Sequence, residues 1–224
     1  MSHLSHTDFT NLSIVIPARN EARSVQQVLR ALRSHFPGAE VLLVDNGSTD
    51  GTSELASQVE GVRVVREARP GKGHAMREGV RVARGAFVLF HDADTEYEVR
   101  DAQAVVARTI EKGGCGIGVR HVSFERLRWS SWIANRIIQG LLQYRFGHVV
   151  SDVLSGTRCL RKEDFLKLQT RSAGFGIETE IAVACLKAGV PIHYADVRYT
   201  PRTGAEGKKI RAYHLFSLIR LAFS

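Results

Sequence analysis

Along the first half of the chain, short unbroken apolar runs alternate with longer stretches in which apolar residues recur at helical spacing. "NLSIVIP" is a β-branched run closed by Pro17. "NEARSVQQVLRALRSHF" then sets Val25, Val28, Leu29, Leu32 and Phe36 on one helix face, with Asn20 as its expected cap. "EVLLVD" reads as a second strand, followed by the turn-rich "NGSTDG" and a short helix from about Thr52. "VRVV" is a third strand, "GHAMREGVRVARG" a helix stopped by Gly85, and "AFVLF" a fourth strand. A strand that is apolar at every position must be covered on both faces. The pattern therefore predicts an α/β fold with a mostly parallel central sheet flanked by helices.

The second half is less regular. Val99 to Lys112 reads as a helix, "CGIGVR" as a strand ending at Arg120, and an Arg- and aromatic-rich stretch as a helix from roughly Trp129 to Phe146. "VLSGTRCLRKEDFLKL" suggests a strand and then a helix starting near Glu163, "IETEIAVACLKAG" another helix, and "VPIHYADVRYTPR" an extended segment. No repeat, low-complexity tract or linker divides the chain. The expectation is a flexible N-terminus over 1–10 and a single domain over 11–224.

In open α/β sheets, ligands bind beyond the carboxyl ends of the strands. Asp45 closes "VLLVD" and Asp92 follows "FVLF", so both belong to that edge. The stretch "FVLFHDADTEYE" packs four acidic residues into seven positions. Like charges so close repel, and a fold tolerates them more easily with a positive group between them. Asp92 and Asp94, two apart in a turn, can share one hard divalent cation that in turn holds a diphosphate. Alternatively, these acids cap the next helix. "VDNGSTDGT" offers Asp and Asn side chains to a nucleobase edge and a ribose, with Gly47 permitting a tight turn. As a bare turn it needs no ligand.

"SIVIPARNEA", "VLLVDNGSTDGT", "GKGHAMREGVRVARG" and "FHDADTEY" follow one another in an order that resembles the family-2 inverting glycosyltransferases with the GT-A fold. Downstream, "GVR", "DVLSGTRCLRKEDF", "IETEIAVACLKAGVPI" and "PRTGAEGKK" are similar to the polyprenyl-phosphate sugar transferases of the dolichyl-phosphate mannose synthase group. The resemblance implies a nucleotide-sugar-binding half over 11–120 and an acceptor half over 121–224. It implies that Pro17, Arg19 and Glu21 line the nucleotide pocket beside Asp45 and Ala93, and that Val44 and Asn46 meet the base. The family often carries Asp where this chain has Asn46, so the base, in a GDP- or UDP-sugar, stays open. Asp92 would contact ribose or metal, Asp94 would ligate Mg²⁺ or Mn²⁺, and Glu96 stands where the group usually has Gln as a further metal contact. Arg120, Arg202 and Lys208 match the basic residues that close over the diphosphate and the acceptor phosphate.

A phosphate acceptor is already an anion at neutral pH and needs cations rather than a general base. Arg126, Arg128 and Arg158 join Arg120, Arg202 and Lys208 as candidates for holding two phosphate groups close together. A hydroxyl acceptor would instead need a carboxylate base, for which Asp152, Glu178 and Glu180 are the candidates. The C-terminal "KKIRAYHLFSLIRLAFS" interleaves cations with apolar residues, as suits a helix lying at an anionic lipid interface. The helix from Trp129 could partner it, and packing on the core or on a second subunit to give a homo-oligomer is the alternative.

The formal net charge of +8 favours anionic partners, whether nucleic acid, membrane head groups or phosphorylated small molecules. The cations are spread over both halves without an RNA-binding signature, which argues against a nucleic-acid-binding module. Three distant cysteines suit a reducing cytosol, and the start of the chain lacks the regions of a signal peptide. No apolar run reaches the roughly 18 residues of a membrane span. The expected place is therefore the cytoplasm, with peripheral attachment to its membrane face. "PGKGH" lacks P-loop spacing, and no G-x-G-x-x-G follows the first strand. His91 reads as a strand-end packing residue.

Overall fold

The structure, a computed structural model, describes residues 8–121, 129–148 and 150–201. Seven strands form one sheet: β1 (Leu12–Ala18), β2 (Glu40–Asp45), β3 (Val62–Arg66), β4 (Phe87–Phe90), β5 (Cys115–His121), β6 (Arg158–Arg161) and β7 (Ile192–Arg198). The helices are α1 (Val25–His35), α2 (Thr52–Ser57), α3 (Lys72–Val82), α4 (Ala102–Lys112), α5 (Trp129–Phe146), α6 (Lys162–Lys167) and α7 (Ile177–Lys187). Strand order is β3-β2-β1-β4-β6-β5-β7. All neighbours run parallel except at β6, which is antiparallel to both β4 and β5.

The apolar runs explain the layering. Successive side chains on a strand point to opposite faces, so each run feeds two cores. Ile14, Ile16, Val41, Leu43 and Leu89 join α1 and α4 on one face. Val15, Leu42, Val44, Val88 and Phe90 join α3, α5 and α7 on the other. Each fully buried aliphatic side chain contributes about 1.5–3 kcal/mol of hydrophobic stabilisation, so a charge at any of these positions would break a layer. Ahead of β1, Phe9 is buried with its ring 4.9 Å from that of Phe36, while Asp8 and Thr10 are exposed. Ser24 rather than Asn20 precedes α1. Asn20 instead takes a left-handed φ of 57° and accepts the Thr49 N–H at 2.9 Å.

One edge gathers the carboxyl ends of β1 to β5 and β7. Register places Ala18 opposite Asp45 and Phe90 opposite Arg158. Because β6 is reversed, the turn that precedes it reaches the same edge. Among the described residues no helix is long and apolar enough to cross a membrane.

Candidate functional site

At that edge, the segment after β1 and the loop after β2 are sewn together. The Asn20 N–H donates to Ser48 Oγ at 3.0 Å, the Glu21 N–H to Thr52 Oγ1 at 2.9 Å, and the Ala22 N–H to Asp50 Oδ2 at 3.0 Å. These bonds join the two stretches expected to hold a nucleotide. Pro17 is half-buried, Arg19 exposed, and Glu21, Val44 and Asp45 buried, with Asp45 Oδ1 accepting the Ser48 N–H at 3.2 Å. Ala93 is buried and its carbonyl accepts from Ser24 Oγ at 3.0 Å.

Asn46 is buried, and its amide meets backbone on three sides. Nδ2 donates to the carbonyls of Glu67 at 3.0 Å and Arg69 at 2.7 Å, while Oδ1 accepts the Gly71 N–H at 2.6 Å. The expectation that Asn46 meets the base therefore encounters an amide engaged with the 67–71 loop.

The positive charge that the acidic run called for is Lys72, at the start of α3. Its ammonium lies 2.6 Å from Asp92 Oδ1 and 2.5 Å from Glu178 Oε1 on α7. Burial acts to lower its pKa, but the two carboxylates outweigh this and raise it above the ordinary lysine value, so Lys72 stays charged. The other Asp92 oxygen packs against Gly156, where any Cβ would run into it. Lys72 was not a sequence candidate. Its signal was a lysine between Gly71 and Gly73, and Glu178 lies too far along the chain for the pairing to be read.

Glu96 turns the other way, accepting from Tyr199 Oη at 2.6 Å, while Asp94 Oδ1 accepts the Glu96 N–H at 3.3 Å. Tyr199 lies under the Arg120 guanidinium, 5.0 Å from ring centroid to Cζ. Arg120 in turn grips Asp152 in a fork, at 2.7 and 2.6 Å, with its own N–H adding a third bond at 3.0 Å. Asn135 of α5 donates to the same carboxylate at 3.2 Å. Asp152 sits at φ 51°, a conformation that costs about 1–3 kcal/mol, and these four bonds hold it there.

Two sequence candidates take other roles. Arg158 is fully buried, and its guanidinium donates to the carbonyls of Glu178, Val153 and Ser155, which removes it from any phosphate. Glu180 accepts the N–H groups of Arg171 and Ser172, both at 2.8 Å, and so secures the loop before α7. His91 is buried, with Nδ1 donating to the Asp92 carbonyl at 2.8 Å, and burial lowers its pKa so that it stays neutral. Arg126, Arg128, Arg202 and Lys208, with the C-terminal basic stretch, lie outside the described residues.

Asp92, Asp94 and Glu96 are not gathered into a three-carboxylate cage. Among the described residues no three His, Cys, Asp or Glu side chains form a metal-holding set. What remains suits a hard cation that takes one or two carboxylates and completes its shell with phosphate oxygens and water, a common arrangement for Mg²⁺.

Comparison with known proteins gives the family and the fold. Glycosyltransferase AglJ of Haloferax volcanii is 37% identical over 192 residues, 84% of this chain, which spans 63% of that protein's length. An uncharacterised glycosyltransferase of Mycobacterium tuberculosis is 33% identical over 200 residues, 88% of each chain. Crystal structures of glucosyl-3-phosphoglycerate synthase from M. tuberculosis share the fold. One is 22% identical with a TM-score of 0.73 over 95% of this chain and 78% of that one. Another, in complex with Mn²⁺, UDP-glucose and phosphoglyceric acid, is 19% identical with a TM-score of 0.75 over 95% of this chain and 78% of that one. The α/β architecture is thus the GT-A fold. The sequence model described as glycosyl transferase family 2 matches residues 13–168, a span that takes in β1 from Ser13, the loops after β1 and β2 and the acidic turn, and the chain belongs to that family.

Proposed function

We propose that the chain moves a sugar from a GDP- or UDP-sugar to a polyprenyl phosphate, with inversion at the anomeric carbon. The observation that carries this reading is that each of the three carboxylates named as candidate base for a hydroxyl acceptor is already engaged. Asp152 is forked to Arg120, Glu178 is paired with Lys72, and Glu180 holds two backbone N–H groups. A base would first have to give up the partner that holds it in place. A phosphate oxygen arrives already charged, forms the new bond to the anomeric carbon, and the nucleoside diphosphate leaves with the electron pair of the old one.

The donor class is supported by the family and by the fold relative crystallised with Mn²⁺ and UDP-glucose. Asp94 together with Asp92 would hold Mg²⁺ or Mn²⁺, which when bound offsets charge on the departing diphosphate. Pro17, Arg19, Glu21, Val44, Asp45 and Ala93 would border the nucleotide. Arg120, Arg202 and Lys208 are assigned to the phosphates, Arg120 from beside Asp152. The lipid acceptor implies a peripheral position on a membrane surface, in keeping with the net charge of +8.

The second reading is a soluble hydroxyl acceptor. It draws on the phosphoglyceric acid bound by the fold relative, and on Glu178 Oε2, which is buried without a hydrogen-bond partner among the described residues. A panel of labelled UDP- and GDP-sugars with Mg²⁺ or Mn²⁺ and polyprenyl phosphate separates the two. Label should enter organic-extractable product, and label only in water-soluble material would overturn the lipid assignment. UDP or GDP with Mn²⁺ should raise Tm, and Asp94→Ala should abolish that rise. Flotation with anionic liposomes at low salt tests the membrane position, which a protein left at the bottom of the gradient would refute.

A further inference from the structure

Asn46 follows β2 directly, and its own N–H donates to the Ala18 carbonyl at 2.9 Å, which fixes it to β1. From that anchor its side chain holds the 67–71 loop by the carbonyls of Glu67 and Arg69 and the N–H of Gly71. Both amide N–H donors are used. Gly71, at φ 129°, lies in a region that strongly favours glycine, and the next residue is Lys72. On its other side the Gly73 N–H donates to the Ala173 carbonyl at 2.8 Å. Both backbone neighbours of Lys72 are therefore pinned, one by Asn46 and one by the loop before α7.

We propose that Asn46 is a positioning residue of the transfer reaction: its amide latches the 67–71 loop and thereby holds the Lys72 ammonium between Asp92 and Glu178. The proposal rests on the glycosyl transfer proposed above. Aspartate has the same shape at position 46, but it turns a charged acceptor toward two carbonyl oxygens. The loop then loses both donations, and the carbonyls of Glu67 and Arg69 face repulsion. Serine keeps only a hydroxyl too short to reach three partners.

The test compares wild type with Asn46→Asp, Asn46→Ser, Lys72→Met and the double variant Asn46→Asp/Lys72→Met. The first readout is acylation of Lys72 by an amine-reactive ester, quantified by peptide mass spectrometry. It needs no substrate, so it judges the latch even where donor cleavage fails and the proposed function fails with it. The second is kcat and KM for release of nucleoside diphosphate from the sugar nucleotide, whichever acceptor takes the sugar, water included. Acylation of Lys72 should rise about tenfold in Asn46→Asp, and kcat should fall about tenfold or more. The double variant should be no slower than Lys72→Met, because the two side chains act in series. Unchanged acylation overturns the latch. A rise in acylation with unchanged kcat overturns the positioning role, as does a double variant whose loss is the product of the single losses. Where Asn46→Asp does not fold, Asn46→Ser carries the same comparison.

Discussion

Gly156 governs how near the backbone before β6 can come to Asp92. A methyl group at 156 would overlap the Asp92 carboxylate, whose other oxygen is held by Lys72, so the carboxylate cannot step aside without breaking that pair. Gly156→Ala should therefore cost about 1–3 kcal/mol as overpacking. It should also abolish the Mn²⁺-dependent rise in Tm with UDP or GDP. A variant that keeps both its stability and that rise would show that the close approach does not constrain the site. Glu67 gives a pH signature at the same scale. The Arg69 guanidinium and N–H bring its pKa from 4.5 down to about 2. A depressed carboxylate pKa adds stability that is present above the ordinary value and lost as pH falls toward the depressed one. Tm should thus decline from pH 4.5 toward 2, and Glu67→Gln should flatten part of that slope. Arg69 is 65% exposed, so the pair is screened and salt should shrink the difference. Identical slopes in the two proteins would remove the pair from the acid response.

At the scale of elements, the loop before α7 is held by Glu180 together with the Arg77 guanidinium, which donates to the Ser172 carbonyl at 2.9 Å. Glu180 accepts two backbone N–H groups, and Glu180→Gln would turn an NH₂ toward one of them, at a cost of about 1–3 kcal/mol. Hydrogen exchange at the Arg171 and Ser172 amides should accelerate in that variant, and unchanged protection there would show that the loop is held by other means. The pattern of apolar runs placed the strands and helices of the described residues in order, the last strand only as an extended segment, because apolar runs and helix faces at i, i+3 and i+4 carry their own period. What it could not locate depended on partners distant in sequence. The direction of β6 depends on its neighbours, since the polar–apolar pattern of a short run such as "RCLR" is the same in both directions. Asp45 and Asp92 were legible at the sheet's carboxyl edge as acids at strand ends. Lys72 and Gly156 were not, because the meaning of each lies in contact with Asp92. Arg158 read as a phosphate ligand since charge was visible in the sequence and burial was not.

Across the whole molecule, one sheet separates two cores, and every strand feeds one or both of them. Removing a layer would expose the sheet, so we expect the sheet and the helices packed on its two faces to unfold as one cooperative unit. Both tryptophans, Trp129 and Trp132, belong to α5, so their fluorescence follows that helix while far-UV circular dichroism follows all of them. The two urea transitions should coincide, and an earlier fluorescence midpoint would mean that α5 and its surroundings come away first. The reversal of β6 has a consequence for how this scaffold can vary. A rim built from strand exits alone receives its loops one after another. Turning one strand around hands the rim an entrance as well, so residues 151–157 arrive from behind and brace the acidic turn against Lys72. Lengthening or shortening that entrance would be felt at Asp92, whereas β6 leaves on the opposite rim, where Lys162 ties the start of α6 to the carbonyls of Ala83 and Ala86.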